Sequence, residues 1–481
     1  LNIIYKKVFS HKDTQYIRKN METTPGVDIL LGEPKHAVKK ISLPIMFTLF
    51  IQTLYNIVDG IWVAGIPKEG DKALAAVGVF FPFFMIIMAF AGGIGIGGGA
   101  TISRKIGAGK SRDAGTAAVL SFLLSFILIG LLLSSTFPFL HPLLQAIAKD
   151  PDISTMAYRY GSIIFLGSPF LVITLISNSI LKAEGDSKRS MMVMSLGAVL
   201  NTALDPLCIY YFDMGYTGAA WATVIAFGVT SCICIYWIFI QKNTHVQVTA
   251  CRKNCINLPL IQDILRVGIP TAFSQAVLSL SIAGIMHIIA LVGNNTHLAA
   301  YNSCWRILML INIPAFGLAG SALSVIGAAY GAGDLKKMKE TYFYSVKRGM
   351  MIQCILAFFV FVFSYDIAYV FSYTEDSAHL RPVISTLLHY LSPVFIFSPM
   401  GIITSAMFRA VKKGGHSLMA SILRTVILQL FFAWLLAIAF SMGPRGVWIG
   451  VTTGNLLASA VIMLWGSRTI TGMSPMQDAR V

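Results

Sequence analysis

Charge is scarce in this chain: Asp, Glu, Lys and Arg make up 12% of its 481 residues, against 56% hydrophobic. A soluble domain needs about a quarter charged residues to cover its surface. A mean hydropathy of +0.72 excludes one here. Acids are the scarcer sign, 21 against 37 Lys and Arg, for a formal net charge of +16. That balance would suit nucleic acid, but the basic residues fall in short clusters between apolar runs, without a groove of interleaved aromatics. Nucleic acid is therefore excluded as a partner. The seven cysteines give no disulfide framework, because Cys208, Cys232, Cys234, Cys304 and Cys354 lie within apolar runs as small thiols. Cys251 and Cys255 share a loop that offers no further metal ligand. Residues 1–20 lack the apolar core of a signal peptide, and Met21 offers a more natural start. The segment before it reads as a cytoplasmic extension.

Nucleotide binding is also excluded. The run GGIGIGGG at 92–99 and GAGKS at 107–111 imitate a phosphate loop, but the pattern requires glycine where Arg104 stands. Close helix packing followed by a turn explains these glycines. No paired nucleophile and base and no metal-ligand spacing is present, so the chain is not expected to be an enzyme or to carry a cofactor.

What remains is a series of long apolar runs, too long for barrel strands and long enough to cross a membrane as helices. Twelve are expected: 41–65, 74–100, 114–137, 158–181, 190–211, 216–240, 262–291, 298–328, 341–363, 381–408, 416–440 and 445–466. Pro82, Pro169, Pro314 and Pro393 are expected to interrupt theirs. Lys and Arg cluster before the first span and in alternate loops, from Lys35, Lys39 and Lys40 to Arg409, Lys412 and Lys413. The positive-inside rule then places both termini in the cytoplasm of a multi-pass plasma-membrane protein.

The chain is duplicated. Residues 74–109 align without gaps on 298–333, and MGYTGAAWATV at 214–224 resembles MGPRGVWIGVT at 442–452. The fold class is therefore all-α and integral to the membrane, with twelve transmembrane helices in two pseudo-symmetric six-helix bundles. The expected organisation is a cytoplasmic segment 1–40, bundles at 41–240 and 262–466, a basic loop 241–261 and a tail 467–481. Each half holds an even number of spans, so the two share one orientation and enclose a cleft suited to alternating access. Two bundles already supply that cleft, and a monomer is expected.

Within the first bundle, Asp59 lies deep in LPIMFTLFIQTLYNIVDGIWV and Asp205 lies in the fifth span. Acids in such places are expensive and mark functional sites. Gln52, Tyr55 and Asp59 share one helix face, as do Asn201 and Asp205 four residues apart, and Thr223 reaches the same depth from the opposite direction. No basic residue stands near that level in this bundle. Two carboxylates in one dry cavity repel, and a proton or a Na⁺ relieves the repulsion. If Na⁺ is the ion, Asp59 and Asp205 are its metal ligands. A repeat spacing of 224 residues puts Ala283 opposite Asp59, and one of 228 puts Ala433 opposite Asp205, so coupling is expected in the first bundle alone. Arg306, Arg424 and His287, in the second bundle, are possible substrate contacts, set against snorkelling and ordinary packing.

The stretches LGEPKHAVKKISLPIMFTLFIQTLYNIVDGIWVAG, LAAVGVFFP, LKAEGDSKRSMMV and GAVLNTALDPLCIY resemble the MATE family, the multidrug and toxic compound extrusion transporters, and in particular its prokaryotic DinF-like branch. The resemblance runs from about Met21 through the last span. It implies an inner-membrane secondary antiporter that exports cationic or amphipathic compounds against H⁺ or Na⁺. It also implies a cation site on Asp59 and Asp205 supported by Gln52, Tyr55, Asn201 and Thr223, and a helix-bending proline at Pro44. The alternative is a flippase or exporter of a lipid-linked or polar-headed lipid, with Arg306 and Arg424 facing the anionic head. A passive channel would need a continuous polar lining, which these spans do not offer.

Overall fold

The computed structural model describes residues 24–473 except 68, 149, 242, 243, 247–256, 371, 373 and 374, and omits the side chains of 375–377. Cys251, Cys255 and the segment before Met21 lie outside the described residues. Peptide groups in hydrocarbon must be satisfied within the chain, and every described element is a helix. Twelve are long and apolar enough to cross a membrane. In the first half these are α1 (Pro34–Ala64), α2 (Gly70–Gly107), α3 (Ser111–Ala148), α4 (Pro151–Ala183), α5 (Ser187–Tyr211) and α6 (Gly215–Ile240). The second half supplies α7 (Leu258–Val292), α8 (Ile313–Gly331), α9 (Leu335–Val362), α10 (Ala378–Ala410), α11 (Gly414–Ala439) and α12 (Gly443–Thr471). Most run several residues beyond their apolar core, and side-chain caps hold some of the ends. Asp150 accepts from the Asp152 N–H at 2.8 Å, Asp186 from Arg189 at 3.1 Å and Asp334 from Lys337 at 2.9 Å. Such a cap is worth about 1 kcal/mol.

The duplication reaches the irregularities of the backbone. Eight described residues have positive φ, and all fall into pairs related by the repeat: Gly109 with Gly333, Gly185 with Lys412, Asp213 with Ser441, and Gly215 with Gly443. The first two pairs end helices in matching turns. Lys110 and Asp334, each following its glycine, donate N–H to Lys105 O and Ala329 O, both at 2.9 Å. This is a helix C-terminal motif that a left-handed residue makes possible. GAGKS is such a turn, and so is its copy GAGDL. Single-turn π-helical stretches recur likewise at Leu207–Tyr211 and Leu435–Ala439.

Three of the four expected proline interruptions are absent. Pro82, Pro169 and Pro393 lie inside continuous helices. The break falls instead beside Pro314, where the helix Asn295–Ile311 passes into α8 through Asn312. Neighbours satisfy the backbone there: Gln353 Nε2 donates to Ile311 O at 2.7 Å, and Ser398 Oγ donates to Asn312 Oδ1 at 2.7 Å.

The bundles meet through α1, α2, α7 and α8. Gly93 and Gly97 of α2 lie against Gly268, Ala272 and Ile264 of α7, while Gly317 of α8 lies against Ser42 and Met46 of α1. These contacts correspond when α1 and α7 are related by 226 residues, which also pairs Pro44 with Pro270, each inside its helix. The counterpart of Asp59 is therefore Ile285, buried and apolar, rather than Ala283. Ala433 remains opposite Asp205 and is fully buried.

The tightest crossing lies at the face that carries the basic turns. Gly107 rests on Ala328 and Gly331 on Arg104, and a Cβ on either glycine would overlap the facing carbonyl oxygen. Residues 104 and 107 are the repeat partners of 328 and 331, so the pseudo-two-fold axis passes through this crossing. Polar contacts between the bundles gather at the same face. Buried Arg104 donates through Nη1 to Ala410 O at 3.1 Å, Ser324 donates to Lys182 O at 2.9 Å, and Lys35 pairs with Glu340 at 3.5 Å. The start of the inter-bundle loop is clamped to the first bundle by Glu184, whose carboxylate accepts from His245 N–H and Val246 N–H, both at 3.1 Å. Burial raises the Glu184 carboxyl to about 8.

Candidate functional site

The acid pair assembles where α1, α5 and α6 meet. Asp205 is fully buried and Asn201 and Thr223 nearly so, because their faces of α5 and α6 pack together and α1 covers them. The Asn201 amide is satisfied at both ends when its Nδ2 donates to Asp205 Oδ2 at 3.0 Å and its Oδ1 accepts from Thr223 Oγ1 at 3.1 Å and Thr223 N–H at 3.2 Å. The other carboxylate oxygen, Asp205 Oδ1, is buried with no donor among the described residues. From α1, the Asp59 carboxyl and the Tyr55 hydroxyl lie close enough to Asp205 and Thr223 to interact with them. Gln52, Tyr55, Asn201 and Thr223 line one small cavity of about 50 Å³, continued by Thr174 and Thr230, whose hydroxyls are 3.2 Å apart. The six residues expected from the sequence are thus neighbours.

Two ionised carboxylates this close have no donor to share, so an orphaned acceptor calls for a proton or a small cation. The donor set suits either. A proton bridges the carboxyls directly, and Na⁺ finds carboxylate and hydroxyl oxygens without soft ligands.

One neighbour escaped the sequence reading. Tyr160 of α4 is buried within electrostatic range of Asp59, Tyr55 and Asp205. The Phe80 ring holds it edge-on at 5.8 Å between centroids. A phenol inside an apolar span was its only sequence signal, and other tyrosines give the same one. In the second bundle a buried amide, Gln429, stands at the repeat counterpart of Asn201, beside the apolar Ala433, and a second, Gln353, is fully buried at the break before α8. His287 and Arg306 are exposed on their helices. Arg424 is partly buried against α10, where a Cβ on Gly401 would stand 3.2 Å from its Nη1. None of these three joins the acid cluster. Pro44 lies within an unbroken α1, and its carbonyl accepts from Thr48 Oγ1 at 2.9 Å.

Two duplicated six-helix bundles, joined tightly at one face and carrying an acid pair in one of them, have the architecture of a multi-pass membrane transporter. The chain belongs to the MatE family, whose pattern matches it twice, over residues 44–207 and 270–435. It is 26% identical over 436 residues to an FAD transporter of Shewanella oneidensis, covering 87% of this chain and 93% of that one. It is 24% identical to the probable multidrug resistance protein YoeA of Bacillus subtilis, covering 88% and 91%. A solved structure described as the outward-facing conformation of a multidrug resistance MATE family transporter superposes with a TM-score of 0.90 at 37% identity, covering 94% of this chain and 99% of that one.

Proposed function

We propose that this transporter is a cation-coupled antiporter. It exports cationic or amphipathic compounds in exchange for H⁺ or Na⁺ bound at Asp59 and Asp205. The carrying observation is the fully buried Asp205, whose Oδ1 has no donor among the described residues, beside a second carboxyl, Asp59. A buried acceptor left without a donor costs about 1–3 kcal/mol, which an arriving cation recovers. Ion binding then favours the conformation in which the acids are neutralised, and by linkage that preference opposes substrate binding. The names of multidrug relatives support drug-like substrates, and the FAD transporter keeps a polar or lipid-linked anion as the second reading. Exposed Arg306 is the residue that would favour it.

The basic face is the cytoplasmic one in this proposal, with both termini there. Bundles packed together at that face then form an outward-open state, in keeping with the outward-facing conformation of the similar solved transporter. A membrane-impermeant maleimide added to intact cells should label a single cysteine at Glu69 and spare one at Lys110 or Gly415, in a background without the seven native cysteines. All three positions are exposed, so accessibility alone does not decide the result. Full labelling of Lys110→Cys or Gly415→Cys from outside inverts the orientation.

Sealed proteoliposomes with a pH gradient or a Na⁺ gradient imposed separately test the coupling, with cationic dyes and FAD as cargoes. Dye moving uphill under either gradient is the expected result. FAD moving while all dyes stay still moves the assignment to the anionic reading.

A further inference from the structure

A cavity of about 650 Å³ shares no lining residue with the small cavity beside the acid pair. It opens at the basic face between α1, the α4–α5 turn and the short helix Pro25–Leu31. That helix is held in place by backbone packing. Gly26 rests on Glu184 O and Asp186 N, with Gly185 (φ +81°) leaving no room for a Cβ beneath it. Lys337 of the second bundle adds a hydrogen bond to Leu30 O at 3.1 Å. The cavity is therefore part of the fold.

Its lining changes character with depth. The rim carries Lys40, Lys188 and Arg189 against a single acid, Asp186. Asp186 is committed: it caps α5 and pairs with Arg189 at 3.3 Å, and Arg189 also lies over the Trp237 ring at 5.7 Å. Lys40 and Lys188 are exposed and make no ion pair among the described residues. Below them the wall is apolar, formed by Leu43, Phe47 and Met191, with Leu43 71% and Phe47 49% exposed. Phe47 lies about 10 Å further along α1 than Lys40, at 1.5 Å per residue. That is the distance from headgroup level into the acyl region.

We infer that this cavity binds one anionic phospholipid of the inner leaflet, its phosphate between Lys40 and Lys188 and an acyl chain along Leu43, Phe47 and Met191. Basic pockets between transmembrane helices at the cytoplasmic side recognise anionic headgroups in this way. Charge excludes the obvious internal occupant. The segment preceding Thr24 contains Lys6, Lys7, Lys12, Arg18 and Lys19 against Asp13 and Glu22, the wrong sign for a basic rim. Free inorganic phosphate would leave the apolar wall unused. Pro44 lines the same cavity, so a bound lipid touches α1 at its interior proline, which cannot complete its helix hydrogen bond.

The test uses the full chain, purified and delipidated, with native mass spectrometry to count bound lipid. Dioleoyl phosphatidylglycerol should bind at one site in clear preference to dioleoyl phosphatidylcholine. The double variant Lys40→Gln/Lys188→Gln should weaken phosphatidylglycerol binding about thirtyfold, each lysine contributing about fivefold. Lys336→Gln/Lys347→Gln removes equal charge from exposed positions away from the cavity and should leave binding unchanged. Equal binding of the two lipids overturns the inference, as does equal loss in both double variants. Complete displacement of phosphatidylglycerol by millimolar inorganic phosphate would make it an ion site and overturn the lipid assignment.

Discussion

Asp205→Asn should give a folded, membrane-inserted protein whose gradient-driven export falls about 100-fold, in the upper range of a site-to-site coupling free energy. Asp59→Asn should do the same. Asp205 is fully buried beside Asp59, and its Oδ2 is met by the Asn201 amide while its Oδ1 has no donor among the described residues. Asparagine keeps the shape and one acceptor but cannot neutralise or exchange a cation. Burying an amide costs less than burying a carboxylate, so thermal stability should hold or rise while transport is lost. That split separates a coupling role from a structural one. Glu69→Ala is the control, an exposed acid beside the start of α2. Wild-type export by both Asn variants under a fixed ion gradient would remove the first bundle as the coupling site.

The second large effect belongs to the crossing on the pseudo-two-fold axis. Gly107→Val should force α2 away from Ala328 and open the basic face. Overpacking costs about 1–3 kcal/mol, so the closed state should lose about 5- to 150-fold in population. A cysteine at Ala329, only 2% exposed in the closed arrangement, should turn from protected to maleimide-reactive. Gly331→Val should act in the same way. The double variant should cost less than the sum, since both substitutions break one contact. An Ala329 cysteine that stays protected in both single variants would show that the crossing does not hold the bundles closed.

The parts of the site legible in the sequence were those where chemistry and solvent disagree. A carboxylate in an apolar span stands out from sequence alone, and helical spacing then recruits Gln52, Tyr55 and Asn201 without further information. The span count and the repeat were legible for the same reason, since hydropathy and loop charge alternate together. Features decided by a neighbouring helix were not. Pro82, Pro169 and Pro393 are accommodated in continuous helices, whereas the actual break at Asn312 is stabilised by Gln353, 41 positions along the chain. Tyr160 joins the acids only because α4 packs beside them. The α1–α7 spacing of 226 rather than 224 emerges where Gly93 and Gly317 make equivalent contacts. Pro44 and Pro270 carried that spacing in the sequence, but two prolines are too few to set an alignment.

The crossing of Gly107 with Gly331 has a consequence for how the joint between the bundles responds to its surroundings. At its centre, backbone lies on backbone, and Arg104 hydrogen-bonds to neutral oxygens, the Ala410 carbonyl and the Thr101 hydroxyl. Such a seal owes its strength to shape. Dissolved ions screen charges over about 8 Å at physiological ionic strength but do little to close-packed carbonyls. Salt that screens the exposed Lys35–Glu340 pair at the same face should therefore leave the crossing itself packed. Hydrostatic pressure and temperature, which act on packing volume and its heat capacity, are the variables to which this crossing should be sensitive.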